Sequence, residues 1–530
     1  MNKKYVLCRE FLRGKVSRRD FNVGLINMGL SVAAAGALIS QTITKSQAAT
    51  PKRGGRLRFA SASSGPSGTI DPAKVTSGVD IARGVILYDR FVDRDLDGNL
   101  TPLLADSWET NATVDEWVIH LRQGVEFHNG KTMTSADAKY SLERILNPDT
   151  ASPAQPLIKD IAEVTTDGKY TVKLKLSQPN ADLMYALNEY HVAIVPEGQD
   201  DYTGTPAGTG PWKVKSYEPG MGSLFVRNEN YFITDRPYID EVEMFGIPDS
   251  TARVNALLAG EVDIIAAVDP QLVDLLHGSP EAELLTIAGS AHPTYPMRAD
   301  MEPFSNNDVR LAIKSSIDRQ KFADLAFNGL ASPGRDHPVP VHDPMHCDEI
   351  PIPQFDPDKA MFHLKKAGHQ NTEFEFTASD ANFGGLNASL ILAEMANDAG
   401  VNVKVKRVPT DGYWSDVWLK APWCGSSWYG RPTAALVMAV TYASTASWNE
   451  SHWKREDFDA LLSEANRTAD DVKRKEILCE AQWMLHNEGS TIIPVFSNWI
   501  DGNATRVKDL VPHPDGFTGW MQWDNVWLDS

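Results

Sequence analysis

Two stretches of this chain concentrate residue types that could do chemistry. The first is His337-Pro-Val-Pro-Val-His342-Asp343-Pro-Met-His346-Cys347-Asp348-Glu349. Its three imidazoles, one thiol and three carboxylates could offer soft and hard ligands to a metal. Prolines at 338, 340 and 344 deny it a regular face on which ligands could converge. An exposed polar loop without a metal is therefore expected. The second stretch is Trp423-Cys424-Gly425-Ser426-Ser427-Trp428-Tyr429-Gly430-Arg431-Pro432, and six of the 14 tryptophans fall between positions 414 and 453. It has neither helical nor strand period. Large amphipathic rings, small residues and one guanidinium suit a loop that lines a ligand cavity. Trp414 and Trp418, four residues apart, are expected instead on the buried face of one helix.

Motifs that carry a reaction are missing. The chain contains no Gly-x-Ser-x-Gly elbow, no His-Glu-x-x-His, no P-loop and no Gly-x-Gly-x-x-Gly fingerprint. Gly208-Thr209-Gly210-Pro211 faintly resembles a phosphate loop, but it leads into Trp212–Tyr217, which reads as a strand. A phosphate site needs a helix N-terminus there. No catalytic residue, metal or cofactor is expected, and binding without turnover follows.

Alternating strand and helix signals must position the aromatic stretch. Lys169–Leu176 puts Val172, Leu174 and Leu176 on one face and lysines on the other, a half-buried strand. Thr134-Ser135-Ala136-Asp137 ahead of Ala138, Leu142, Ile145 and Leu146 marks a capped helix. Val309, Ala312, Ile313 and Ile317 keep helical spacing, as do Phe458, Leu461, Leu462 and Ala465. A longer helix is expected over about 472–486, before β character returns at Thr491–Phe496. The result is an α/β chain, and 530 residues suggest more than one domain.

Charge narrows the partners. The first 48 residues hold eight basic and two acidic residues, so the remainder carries about −25 against −19 for the whole chain. Such a surface repels phosphate backbones, and nucleic-acid binding is excluded. Ser17-Arg18-Arg19-Asp20-Phe21 precedes a mildly apolar run, Val23 to Ile39, with small residues at Ser46 and Ala48. Residues 1–48 resemble a Tat-type export signal, which implies a periplasmic, soluble mature chain. Cys347, Cys424 and Cys479 remain after cleavage, enough for one disulfide, with the pair left open.

Longer motifs now add a resemblance. Pro102–Trp108, Leu121–Gly130, Thr134–Ala138 and Tyr140–Leu142 stand in the order found in substrate-binding proteins of ABC importers, in the dipeptide/oligopeptide/nickel-binding family, solute-binding protein family 5. So do Gly208–Pro211, Arg227–Tyr231, Gly260–Asp263, Ile317–Arg319 and Phe355–Ala360. The resemblance implies a type II periplasmic binding protein, with two hinged lobes and an extra subdomain inserted in the N-terminal lobe. Lobe I would comprise 49–94, 201–300 and 493–530, the insertion 95–200, and lobe II 301–492. It further implies a monomer that captures a small peptide or peptide-like solute between its lobes and passes it to ABC importer permease subunits.

Two positions depart from the family pattern. Peptide-binding relatives commonly carry an Asp-Pro pair where this chain has Arg431-Pro432, and an Asn where it has Arg298. Two arginines facing the cleft would favour a carboxylated ligand, because the guanidinium fork matches a carboxylate. Either could instead pair with local acids such as Asp300. Expected ligand contacts are Ser63, Ser64 and Gly65 in lobe I, and Trp423, Ser426, Ser427, Trp428, Tyr429 and Arg431 in lobe II, with Arg298. Tyr442 and Trp448 are further candidates, read more readily as core. The alternatives are an opine or another carboxylated amino-acid conjugate as ligand, a metal or haem receptor, or a secreted hydrolase.

Overall fold

The computed structural model describes residues 50–61, 68–76, 78–514, 516 and 522–529. The chain separates into two units, Met1–Lys52 and Arg53–Ser530, and the sheets and cores that follow belong to the second. The expected export signal, residues 1–48, and the expected ligand contacts Ser63, Ser64 and Gly65 lie outside the described residues.

Its largest sheet has eight strands. Arg56–Ser61 sits at the centre, parallel to Glu241–Gly246 on one side and to Ile264–Ile265 on the other. Gly222–Arg227 and Trp212–Glu218 continue it antiparallel beyond Glu241–Gly246. Val495–Ala504 joins the other edge between Ile264–Ile265 and Ala282–Ala288. Leu57 and Phe59 alternate inward with Met244 and Ile264, and Phe59 meets Trp523 edge to face at 5.0 Å. Gly208 and Gly210 precede the edge strand, and a Cβ on either would fall within 2.5 Å of the Leu87 or Ile86 carbonyl oxygen. Close backbone packing, not phosphate, explains those two glycines.

A separate four-stranded antiparallel sheet orders Ala105–Thr110, Glu116–Leu121, Thr171–Leu176 and Ile161–Thr166. Val172, Leu174 and Leu176 are buried and the lysines between them exposed, as the alternation predicts. Helix Ser135–Leu146 covers this sheet and begins at the anticipated capping box of Thr134 and Asp137.

A third core is built on the parallel pair Phe374–Ala378 and Val403–Arg407, under helices that include Asn307–Ser315 and Gly385–Asp398. A fourth joins helices Ala434–Tyr442, Glu456–Asn466 and Asp471–Glu488. The last two lie where sequence spacing puts them. The chain passes between the large sheet and these helical cores on strand His292–Pro296 and again at Thr491–Ile492, which pair antiparallel. This two-strand crossover is the hinge of a type II periplasmic binding protein, the two-lobed fold defined by this topology and its structural neighbours.

Three expectations fail. The His337–Cys347 segment is buried, with His337 at 0% exposure and His346 at 2%. The prolines thread it through the interior, where Arg335 reaches His346 and Gln482 brackets Met345 and Cys347. Trp414 is 45% exposed, because its helix is one turn long, Tyr413–Asp416, and Tyr413 takes the buried position. Ser426–Trp428 is a strand, not loop, paired with His292–Thr294 of the crossover.

Candidate ligand-binding site

Between the inserted sheet's loops and the helical core lies a cavity of about 940 Å³, near the upper end for a small-molecule site. One wall comes from 153–190, with Pro153, Pro156, Leu157, Tyr185 and Tyr190 beside Asn180, Asp182 and Glu189. The opposite wall runs from Tyr429 to Trp448, and Pro340, His342 and Asp343 fill one corner. Ser290 and Trp499, next to the crossover, line it too, as do Arg94 and Asn466.

Helix Ala434–Tyr442 explains much of the second wall. It is apolar on every side, which calls for cover on both faces. Ala434, Val437, Met438 and Tyr442 enter the helical core, while Leu436, Ala439 and Val440, at helical spacing, line the cavity. Thr433 starts it by accepting a hydrogen bond from the Leu436 N–H at 3.2 Å.

Arg431 is the cation of this wall. Its guanidinium lies 5.4 Å from the centre of the Trp428 ring, and Nη1 donates to the Tyr429 and Gly430 carbonyls, both at 3.2 Å. Burial lowers its pKa from the ordinary arginine value, and the negative charge of Glu189 opposes that shift. No carboxylate of the described residues forms an ion pair with it. Gly430 permits this placement, since a Cβ there would stand 2.2 Å from the Ser290 hydroxyl.

The platform beneath is polar and fully buried. Glu450 accepts from Thr294 Oγ1 at 2.6 Å and from Trp418 Nε1 at 2.8 Å. Burial raises its pKa, while Thr294, Trp418, Ser426 and Trp428 hold it back. Trp428 also packs at a tilt against Trp448, ring centres 5.8 Å apart.

The expected contacts therefore divide. Tyr429, Arg431 and Trp448 line the cavity, with Tyr429 61% exposed. Trp428 stands behind them. Trp423 is a core residue packed on Phe304 and Phe376, held there because its neighbour Cys424 bridges to Thr377. Ser426 is buried against Glu450, and the Ser427 hydroxyl accepts from the Phe383 N–H. Tyr442 belongs to the helical core. Arg298 pairs with Asp300 at 2.7 Å and donates to the Leu419 carbonyl, apart from the cavity. Sequence reasoning missed the whole first wall. Its signal was present as unpatterned prolines and tyrosines at 153–190.

Cys347 and Cys479 form the disulfide, leaving Cys424 free and buried. They and Glu349 are the one set of three potential metal ligands gathered among the described residues, and the disulfide occupies two of them.

Comparison with known proteins agrees with this architecture. Residues 99–450, about two thirds of the chain, match the bacterial extracellular solute-binding proteins, family 5. The chain belongs to that family, whose members serve ABC importers. Haemophilus influenzae heme-binding protein A is 26% identical over 497 residues, covering 84% of this chain and 88% of its own. Di/tripeptide-binding protein 1 of Pseudomonas aeruginosa is 27% identical over 471 residues, 80% and 86% of the two chains. The solved structure of the PBP AgaA of A. tumefaciens R10 in complex with agropinic acid superposes with a TM-score of 0.69 at 26% identity, covering 90% and 99%. Among the described residues no helix is long and apolar enough to cross a membrane.

Proposed function

We propose that this chain is exported by its first 48 residues and acts in the periplasm as a receptor that encloses a carboxylated peptide or peptide-like solute. The solute passes to an ABC importer without being chemically changed. Lobe I comprises 49–94, 201–300 and 493–530, the inserted subdomain 95–200 and lobe II 301–492, so the cavity opens and closes as the lobes hinge. Arg431 carries this reading. A half-buried guanidinium without a carboxylate partner, set between tyrosine and tryptophan walls, offers a carboxylate both charge and a fork. Relatives named for dipeptides and tripeptides, and a neighbour solved with agropinic acid, are consistent with ligands of this size and charge.

A thermal-shift screen tests it, using dipeptides to pentapeptides, opine acids and their amidated forms. A ligand at 100 times its dissociation constant stabilises the protein by about 2.7 kcal/mol. Acids should raise the transition and their amides should not. Equal shifts from both forms would refute carboxylate recognition. Release of a cleaved product would refute the receptor reading.

A further inference from the structure

Across the cavity the two walls touch through polar groups. In the turn Asn180–Asp182 the Asn180 side chain accepts from the Asp182 N–H at 2.9 Å. Ala181, between them, sends both of its backbone groups to helices Glu456–Asn466 and Asp471–Glu488. Its N–H donates to the Asn466 carbonyl at 3.0 Å, and its carbonyl accepts from Arg474 Nη1 at 2.9 Å. The same Nη1 stands 3.1 Å from Asp182 Oδ1. Arg474 is 3% exposed, and its other fork nitrogen holds Asp471, one turn back on its own helix, at 2.9 Å. Asn180, Asp182 and Asn466 all line the cavity. Ala181 packs into the core of the inserted sheet, whereas helix Asp471–Glu488 packs through Leu478, Ala481 and Leu485 into the helical core.

From this geometry we infer that Arg474 is a positioning residue of the ligand site: by capturing the Ala181–Asp182 turn it holds the cavity shut. A polar seam suits reversible closure. Arginine, aspartate and a backbone amide are all well solvated when apart, so water can replace the polar contacts that opening breaks. A paired, buried charge adds little net stability, but removing one partner leaves the other buried and uncompensated. Closure is thereby balanced, and each partner is needed for it. A receptor closed in only a fraction of molecules binds more weakly by that fraction.

The test needs no ligand, so it stands apart from the question of which solute binds. Spin labels at Thr166→Cys, at the end of strand Ile161–Thr166, and Ser463→Cys, on helix Glu456–Asn466, both exposed, report the interlobe distance in the full protein. Arg474→Ala should move the closed-to-open ratio about tenfold or more toward open. Asp182→Ala should shift it the same way, and combining the two should add less than their sum. Arg474→Lys, which keeps the charge without the fork, should recover part of the closed population. Should Arg474→Ala fail to fold, Asp182→Ala and Arg474→Lys carry the comparison. Distance distributions in either folded alanine variant that match the parent would overturn the inference.

Discussion

The Arg431 guanidinium rests over the face of Trp428, whose ring packs at a tilt against Trp448 and whose side chain holds the buried Glu450 carboxyl. Cation–π contact of this kind contributes about 0.5–2 kcal/mol, more as water is excluded. The ring thus holds a cation that forms no ion pair among the described residues, with the Glu189 charge acting on it across the cavity. Most arginines among the described residues differ. Arg58 is tied to Asp263 at 2.9 Å, and Arg319 to Asp336 at 2.8 Å.

Truncation of Arg431 to alanine should cost about 2–5 kcal/mol of affinity for an acidic ligand, at least roughly thirtyfold. Lysine keeps the charge but loses the fork and the planar stack, and should recover only part. Calorimetry with the acid found by thermal shift measures both. Unchanged affinity in the alanine variant would leave Arg431 with a purely local role.

Tyr429 and Trp423 are only six residues apart but should respond in opposite ways. Tyr429→Ala removes an exposed cavity wall, so stability should stay within about 0.5 kcal/mol while affinity falls. Trp423→Ala empties a core site between Phe304 and Phe376 and should destabilise by about 3–5 kcal/mol. Denaturant titration alongside calorimetry separates them. A stable Trp423→Ala protein would contradict the packing described.

That contrast marks how far the sequence was legible. Strand Thr171–Leu176 and the helix after Thr134 were readable because their signals are local: alternation in one, a capping box in the other. Trp423 and Trp428 were not separable, since both are aromatic and only tertiary pairing decides which one packs against Phe376. The histidine segment misled for a related reason. Prolines do exclude a regular face, but they do not exclude burial when Gln482 and a disulfide supply partners. Arg431 stood out by charge alone. The wall at 153–190 did not, because its residues gather from loops and from the one-turn helices Gln155–Ile158 and Leu183–Ala186, too short to show a period.

The Cys347–Cys479 bridge joins residues 132 apart and anchors the segment that brings Pro340, His342 and Asp343 to the cavity. Replacing both cysteines with serine should destabilise the protein by about 2–5 kcal/mol, read from denaturant midpoints. Cys424 should stay silent. Burial pushes its thiol up to about 12, so little thiolate exists at neutral pH. In the mature protein, from which Cys8 has been removed with the first 48 residues, a chromogenic disulfide reagent should find no reactive thiol in the native state and one after unfolding. A rapid native reaction would show that Cys424 is reachable.

Asp89 gives stability a pH dependence of known sign. Burial raises its pKa from 3.8 to about 7, although Thr209 Oγ1 donates to it at 2.9 Å. Asp93 and Asp524 raise it further, and Arg90 opposes them. Between those two values the folded state keeps the proton and the unfolded state loses it. Folding therefore weakens as pH rises through that window, by at most about 1.4 kcal/mol per unit. His128 acts the other way. Its Nδ1 accepts from the Gly208 N–H at 3.1 Å, so Nε2 carries the proton it shares with the Gly210 carbonyl at 2.9 Å. Burial depresses its pKa from 6.5 to about 4, so its contribution is lost as pH falls through that range. The two slopes offset one another in the native protein. Asp89→Asn keeps an acceptor for Thr209 and removes one of them. The stability of this variant, relative to the parent, should climb with pH from about 4 to about 7 and then level off. Urea titrations at several pH values give that difference directly, and a flat difference would mean that Asp89 titrates as an ordinary carboxylate.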